Sequence, residues 1–165
     1  MIHPGLVTPT NLERCMQIAY NAKLNPGCLS RQVGAPVTNE DFAILSIGWN
    51  EVSKGQISCS LRDIGGYCKN KDTNTYSSYE IADKDLSKKI NEIAEKIKPD
   101  KLGGRKHPFC FKDVYNTMKE KDNQVYTRAL HAEENAFLQI SKYGGVGVKD
   151  GNLFTTASPC ELCAK

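Results

Sequence analysis

The chain has 165 residues, of which 25% are charged, and its formal net charge is only +3. This length suits one domain with a full hydrophobic core, and the small net charge gives no strong signal for nucleic-acid binding. No apolar run approaches membrane-spanning length, and the N-terminus lacks the layout of a signal peptide. The seven cysteines therefore predict free thiols and metal ligands in a reducing compartment rather than a disulfide framework, and the expected location is cytoplasmic.

The first predicted elements are a helix and two strands. Thr10 and Glu13 fit a capping box, and the apolar residues that follow recur at helical spacing, so we predict a helix over residues 11–24. Strands are predicted at 32–38 and 42–50, and the short polar connection between them favours an antiparallel hairpin. Gly34, in the first strand, would let the backbone come close to a ligand or to a neighbouring helix.

Residues 51–128 form a long polar stretch in which two amphipathic helices are predicted, at 83–98 and 111–121. This stretch also contains histidine and cysteine residues at irregular spacing, namely Cys59, Cys68, His107 and Cys110. They could hold a second structural zinc, but independent buried thiols are the favoured interpretation. Several basic residues could meet a phosphate, although each is more often an ordinary surface charge: Arg31, Arg62, Arg105, Lys106 and Arg128.

Two short motifs near the end of the chain carry the candidate chemistry. The first, His131-Ala132-Glu133, opens a stretch without proline or glycine that predicts a helix over 132–141. The second, Pro159-Cys160-Glu161-Leu162-Cys163, follows a predicted strand at 152–157, and Pro159 suits the first position of another helix. One imidazole and two thiolates supply three of the four tetrahedral ligands of zinc and leave a position for water, whose proton Glu133 is suited to handle. The alternative is a structural zinc knuckle beside an unrelated histidine.

The order H-x-E…P-C-x-x-C in these motifs is the signature of zinc-dependent nucleobase deaminases. The chain resembles the cytidine/deoxycytidylate deaminase superfamily. The strand with Val33-Gly34-Ala35, the strand that ends in Gly48-Trp49-Asn50 and the pair Asn135-Ala136 are most similar to deoxycytidylate deaminases.

The resemblance implies a three-layer α/β fold, with a mixed sheet between helices. We expect a single deaminase-like domain over 1–165, with a largely helical insertion at 51–128. The core of the family continues past the cysteine helix with further strand and helix segments, so we also expect a truncated C-terminus that leaves a sheet edge exposed.

The resemblance further implies the cofactor and the roles of the site residues. Zn²⁺ is expected on His131, Cys160 and Cys163, with Glu133 as the catalytic acid and base. Asn50 and Ala132 are expected to contact the substrate, Asn50 through the sugar.

The expected reaction is the hydrolytic deamination of a free deoxycytidine nucleotide to the deoxyuridine nucleotide and ammonia. The sequence does not distinguish dCMP from dCTP as the substrate, because it contains no motif that indicates how many phosphate groups are bound. Two alternatives stay open: a purine or tRNA adenosine deaminase, and a catalytically inactive zinc-binding interaction domain that keeps the deaminase fold. A homo-oligomer is expected, and no membrane partner.

Overall fold

The structure is a computed structural model, and it describes residues 7–25, 27–121, 125–144 and 147–165. The helices in chain order are α1 (Asn11–Ala22), α2 (Ile64–Lys69), α3 (Ser78–Ala82), α4 (Lys84–Ile97), α5 (Phe111–Met118), α6 (Ala132–Tyr143) and α7 (Glu161–Ala164). The strands are β1 (Gly34–Thr38), β2 (Ile44–Trp49), β3 (Glu51–Val52), β4 (Ala129–Leu130) and β5 (Asn152–Leu153). Short 3-10 helices lie at Cys59–Leu61 and Pro99–Leu102. None of the described helices is long and apolar enough to cross a membrane.

The described residues fall into two compact units. Those within 1–26, 32–51 and 131–165 form the first unit, and those within 27–31 and 52–130 form the second. The single domain over 1–165, with an insertion at 51–128, stays a prediction.

The first unit is built on a three-stranded sheet in the order β2-β1-β5. The predicted hairpin is confirmed: β1 and β2 pair antiparallel, with Gly34 opposite Trp49. The sheet predicted to be mixed has only antiparallel pairs among the described strands, since β5 also runs antiparallel to β1. The connection between β1 and β2 is too short for a parallel crossover, which explains the first of these pairings.

Helices α1 and α6 cover opposite faces of this sheet. Residues next to each other on a strand face opposite sides, and directly paired residues face the same side, so Gly34 faces away from the side that Gly48 shares with Ala35. A Cβ atom at Gly34 would lie 2.0 Å from the carbonyl oxygen of Ala19 in α1. A Cβ atom at Gly48 would lie 2.0 Å from the carbonyl oxygen of Ala132 in α6. The predicted three-layer α/β arrangement is therefore confirmed.

The second unit is mainly helical and has its own aromatic and aliphatic core, made by Ile64, Tyr67, Tyr76, Leu86, Ile90, Ala94, Phe111 and Tyr115. The predicted helices at 83–98 and 111–121 are present as α4 and α5. The short helices α2 and α3 were not predicted, because α2 contains Gly65 and Gly66 and α3 has only five residues.

Arg62 lies in this second core and not at a surface where it could meet a phosphate. It is 2% exposed and forms an ion pair with Glu80, which is 0% exposed. Its Nε also donates a hydrogen bond of 2.9 Å to the carbonyl oxygen of Thr75. Because these contacts occupy the guanidinium, Arg62 is a structural residue.

The cysteine and histidine residues of the second unit do not form a metal-type cluster within the described part of the chain. Cys59 is buried, as expected for an independent thiol, whereas Cys68 is exposed. None of the seven cysteines is in a disulfide bond.

Candidate metal centre and active site

The structure brings together the three residues predicted as zinc ligands. His131 is the N-cap of α6, Cys160 is the N-cap of α7, and Cys163 lies inside α7. The Nδ1 atom of His131 is 3.3 Å from the Sγ of Cys163 and 3.4 Å from the Sγ of Cys160. The helix begins at Glu161, so Pro159 is not its first residue as predicted but lies before the N-cap.

The spacing of these donors fits a tetrahedral metal ion. With zinc bonds of about 2.05 Å to nitrogen and about 2.3 Å to sulfur, a tetrahedral angle puts the two ligand atoms about 3.5 Å apart. The observed separations of 3.3 and 3.4 Å are close to that value. All three ligand atoms lie within 4.8 Å of one another, and no other such group occurs among the described residues.

The two cysteines reach the site through the pairing of β5 with β1. Beyond the formal end of β5, the N–H of Phe154 donates to the carbonyl oxygen of Pro36 at 3.0 Å, and the N–H of Thr156 donates to that of Gly34 at 3.2 Å. The chain therefore runs along β1 as far as Gly34 before it enters α7. Strand β5 covers only the first two residues of the strand predicted at 152–157, but backbone hydrogen bonds to β1 continue as far as Thr156.

His131 and Glu133 reach the same end of the sheet through α6. This helix lies close to β2 at Gly48, where a Cβ atom would clash with the backbone of Ala132 and Ala136. Ser46, on the same face, donates a hydrogen bond of 2.9 Å to the carbonyl oxygen of Ala136. The N-terminus of the helix is capped from within, since the His131 N–H donates to Oε2 of Glu134 at 2.8 Å.

Glu133 lies beside the three-donor cluster and is not a member of it. Its side chain is 6% exposed, in the first turn of α6. A buried carboxylate next to a metal site, but outside the ligand set, is placed to exchange protons with a molecule held there.

The pKa of the Cys163 thiol is raised to about 12 when no cation is bound. Burial is the largest cause, and the hydrogen bond with Cys160 and the charge of Glu133 add to it. A bound cation would therefore supply the charge that lets Cys163 ionise.

Asn50 and Ala132, the two residues expected to contact substrate, lie at the same end of the sheet. Asn50 directly follows β2, is 7% exposed, and its Oδ1 accepts a hydrogen bond of 2.7 Å from the N–H of Val33. The Ala132 side chain is fully buried and packs against Val33 and Ala35. The contact of Ala132 with a substrate stays a prediction.

A family profile described as the cytidine and deoxycytidylate deaminase zinc-binding region matches residues 9–165. The chain belongs to this family. Two crystal structures of dCMP deaminase from the cyanophage S-TIM5, one in apo form and one in complex with dCMP and dUMP, are 20% and 21% identical to it. Each similarity covers 96% of this chain and 74% of the phage chain, with a TM-score of 0.49. The curated proteins contain no match.

The zinc of this deaminase family fits the donor set of His131, Cys160 and Cys163, so Zn²⁺ is the cofactor. The sequence did not reveal the residues that fix these ligands in space. No positioning role followed from the sequence for Glu134 or Gln139, and Asn135 entered only as part of the resemblance to deoxycytidylate deaminases. Gly48 was the one available signal, since a glycine inside a strand often marks a close backbone approach.

Proposed function

We propose that this deaminase hydrolyses a free deoxycytidine nucleotide, dCMP or dCTP, to the deoxyuridine nucleotide and ammonia. The observation that carries the proposal is the position of Glu133, buried beside the His131, Cys160 and Cys163 cluster and outside it. A purely structural zinc site has no use for such a base. The family match supports cytosine chemistry, and the residues that resemble deoxycytidylate deaminases favour a deoxycytidine nucleotide over other substrates.

A bound zinc ion would supply a Lewis acid that lowers the pKa of a water molecule at the site. Glu133 would accept the proton of that water as its oxygen bonds to C4 of the cytosine ring, and would pass a proton to N3. It would then take the remaining proton from the new C4 hydroxyl group and deliver it to the amino group, so that the C4–N bond breaks, ammonia leaves and the C4 carbonyl forms. The overall change replaces the C4 amino group by oxygen and consumes one water.

The proposed roles of Asn50 and Ala132 follow from where their polar groups lie. Because Oδ1 of Asn50 is held by the Val33 N–H, the side-chain amide is fixed in orientation, and a sugar hydroxyl would be met by Nδ2. Ala132 begins α6, between the proposed ligand His131 and the proposed base Glu133, and its contact with the substrate is part of the proposal. The homo-oligomer expected from the sequence remains part of the proposal and can be measured by light scattering.

The experiment is ammonia release from dCMP, dCTP, deoxycytidine and adenosine, on protein whose bound zinc has been counted. We expect one zinc per chain and release from a deoxycytidine nucleotide. Release from adenosine alone would favour the purine alternative, and one zinc with no product from any substrate would favour the inactive binding domain.

The matched variants are Glu133→Gln and Glu134→Gln, each of which replaces one of two neighbouring carboxylates by an amide and removes one negative charge. Glu133→Gln should keep the zinc and lose turnover by about 100-fold to 10,000-fold, the usual contribution of general acid–base catalysis. Glu134→Gln should keep most of the turnover, because Glu134 caps the helix by accepting the His131 N–H. Equal turnover in Glu133→Gln and the wild type would refute the role of Glu133.

A further inference from the structure

The outer edge of β2 offers two backbone carbonyl groups that β1 cannot use. In an antiparallel pair, residues alternate between positions that bond across the pair and positions that point away from it. Pro36 has no N–H, so its pair with Ile47 is of the second kind, and so is the pair of Gly34 with Trp49 two residues on. The carbonyl groups of Pro36 and Gly34 indeed accept from the β5 side. Those of Ile47 and Trp49 therefore point to the opposite edge.

Two side-chain amides of α6 occupy these carbonyl groups. The Nδ2 of Asn135 donates to the oxygen of Trp49 at 3.0 Å, and the Nε2 of Gln139 donates to the oxygen of Ile47 at 2.9 Å. Four residues of helix rise about 6 Å, and two residues of strand span about 6.6 Å. The amides thus match the spacing of the carbonyl groups, and a shift of α6 by one residue would break both bonds.

The two bonds differ in how close they are to the candidate active site. Asn135 lies one helical turn after His131 and two residues after Glu133, and its acceptor Trp49 directly precedes Asn50. One hydrogen bond therefore joins the segment with the base and the histidine to the segment with the proposed sugar contact. Gln139 makes the same kind of bond one turn farther away.

We infer that Asn135 is a positioning residue for this site, because it fixes Glu133 and His131 relative to Asn50 through the Trp49 carbonyl group. The inference rests on the proposed function for its effect on turnover. The side-chain amide of Asn135 is bonded to the Trp49 carbonyl group, so Asn135 would act on the site through its position. The competing explanation is that the bond only adds stability and covers the edge of β2, and Gln139 then provides the comparison.

The test compares Asn135→Leu with Gln139→Met, each of which keeps the approximate size of the side chain and removes one donor to β2. Both should lose similar stability, measured as the midpoint of urea unfolding. The kcat/KM for the deoxycytidine nucleotide should fall about tenfold or more in Asn135→Leu and less than about twofold in Gln139→Met, in line with the usual effect of groups that orient metal ligands. The decrease should include KM, because Asn50 is displaced as well.

A second readout does not depend on turnover. The affinity for Co²⁺, followed by its visible absorption bands in the tetrahedral site, should fall about tenfold in Asn135→Leu and remain unchanged in Gln139→Met. Equal effects of the two variants on turnover and on Co²⁺ affinity would overturn the inference. If wild-type protein binds Co²⁺ but releases no ammonia, the proposed function fails and the Co²⁺ comparison still decides the role of Asn135. If Asn135→Leu does not fold, Asn135→Ala is compared with Gln139→Ala in the same way.

Discussion

The substitution Gly48→Ala tests whether the close approach of α6 to β2 assembles the site. A Cβ atom at this position would lie 2.0 Å from the carbonyl oxygen of Ala132 and 2.5 Å from the nitrogen of Ala136. Both neighbours are helix backbone, so no change of side-chain rotamer can relieve the contact. Ordinary van der Waals contact starts at 3.4 Å, so α6 must move away from β2 by about 1.4 Å at Ala132.

This displacement gives the expected size of the effect. Forcing one extra methyl group into a packed interface costs about 1–3 kcal/mol, which corresponds to a decrease in Tm of about 2–12 °C for a chain of this size. His131 directly precedes Ala132, so its Nδ1 would leave the 3.3 and 3.4 Å positions that fit the metal. A misplacement of about 1 Å in an active site can lower the rate about 100-fold. We therefore expect weaker zinc binding and about 100-fold lower kcat/KM.

The assay measures zinc per chain, thermal unfolding and ammonia release on the same preparation. Gly147→Ala is the control, because among the described residues beyond its chain neighbours no atom lies within 4 Å of its added Cβ, and its φ is not in the left-handed region. That variant should match the wild type in all three measurements. If Gly48→Ala also kept wild-type zinc affinity and turnover, the contact at Gly48 would not be what places His131 and Glu133.

Three other features of the described residues lead to predictions: a buried ion pair, a buried tyrosine and the metal-ligand set. Glu80→Ala leaves Arg62 buried without its carboxylate, so the free energy of unfolding measured in urea should fall by about 3–5 kcal/mol; a loss below about 1 kcal/mol would contradict the structure. Burial raises the pKa of Tyr76 from 10.0 to about 12. The stability that its buried neutral hydroxyl contributes is therefore complete below pH 10 and is lost as the pH rises through the pKa of the folded protein. The urea midpoint should therefore fall above pH 10, and less steeply in Tyr76→Phe. His131→Ala should abolish zinc binding in metal analysis, whereas His107→Ala, outside the donor cluster, should retain it.

The local elements could be predicted because their signals lie within a few residues. The capping box of Thr10 and Glu13 is present, and α1 begins at Asn11 as the pattern indicated. The apolar spacing around Leu86 and Ile90 likewise gave α4 within one residue at each end. Propensity and periodicity act over one or two helical turns, which is the range that a single sequence displays directly.

The contacts that fix the site depend on residues far apart in the chain, and they could not be read from the sequence. Asn135 bonds to Trp49 across 86 positions, and nothing local in either residue indicates that pairing. The Arg62 ion pair was missed for the same reason, because a partner 18 residues away is visible only once the helices have packed. The start of α7 was misplaced by two positions, because Pro159 lies before the N-cap Cys160 and the helix begins at Glu161, although proline often occupies the first helical position.

The two close glycines connect the register of the sheet to the assembly of the site. The lack of a side chain at Gly34 lets α1 pack closely on one face of the sheet, and the lack of one at Gly48 lets α6 pack closely on the other. A slip of β2 by one residue would turn Gly48 away from α6 and present Ile47 or Trp49 to that helix instead. The histidine and the base arrive on α6, whereas the cysteines arrive along β1 on the chain that follows β5. The ligands therefore meet only in the register that both glycines permit, so correct pairing of β1 with β2 is a condition for zinc binding as well as for packing.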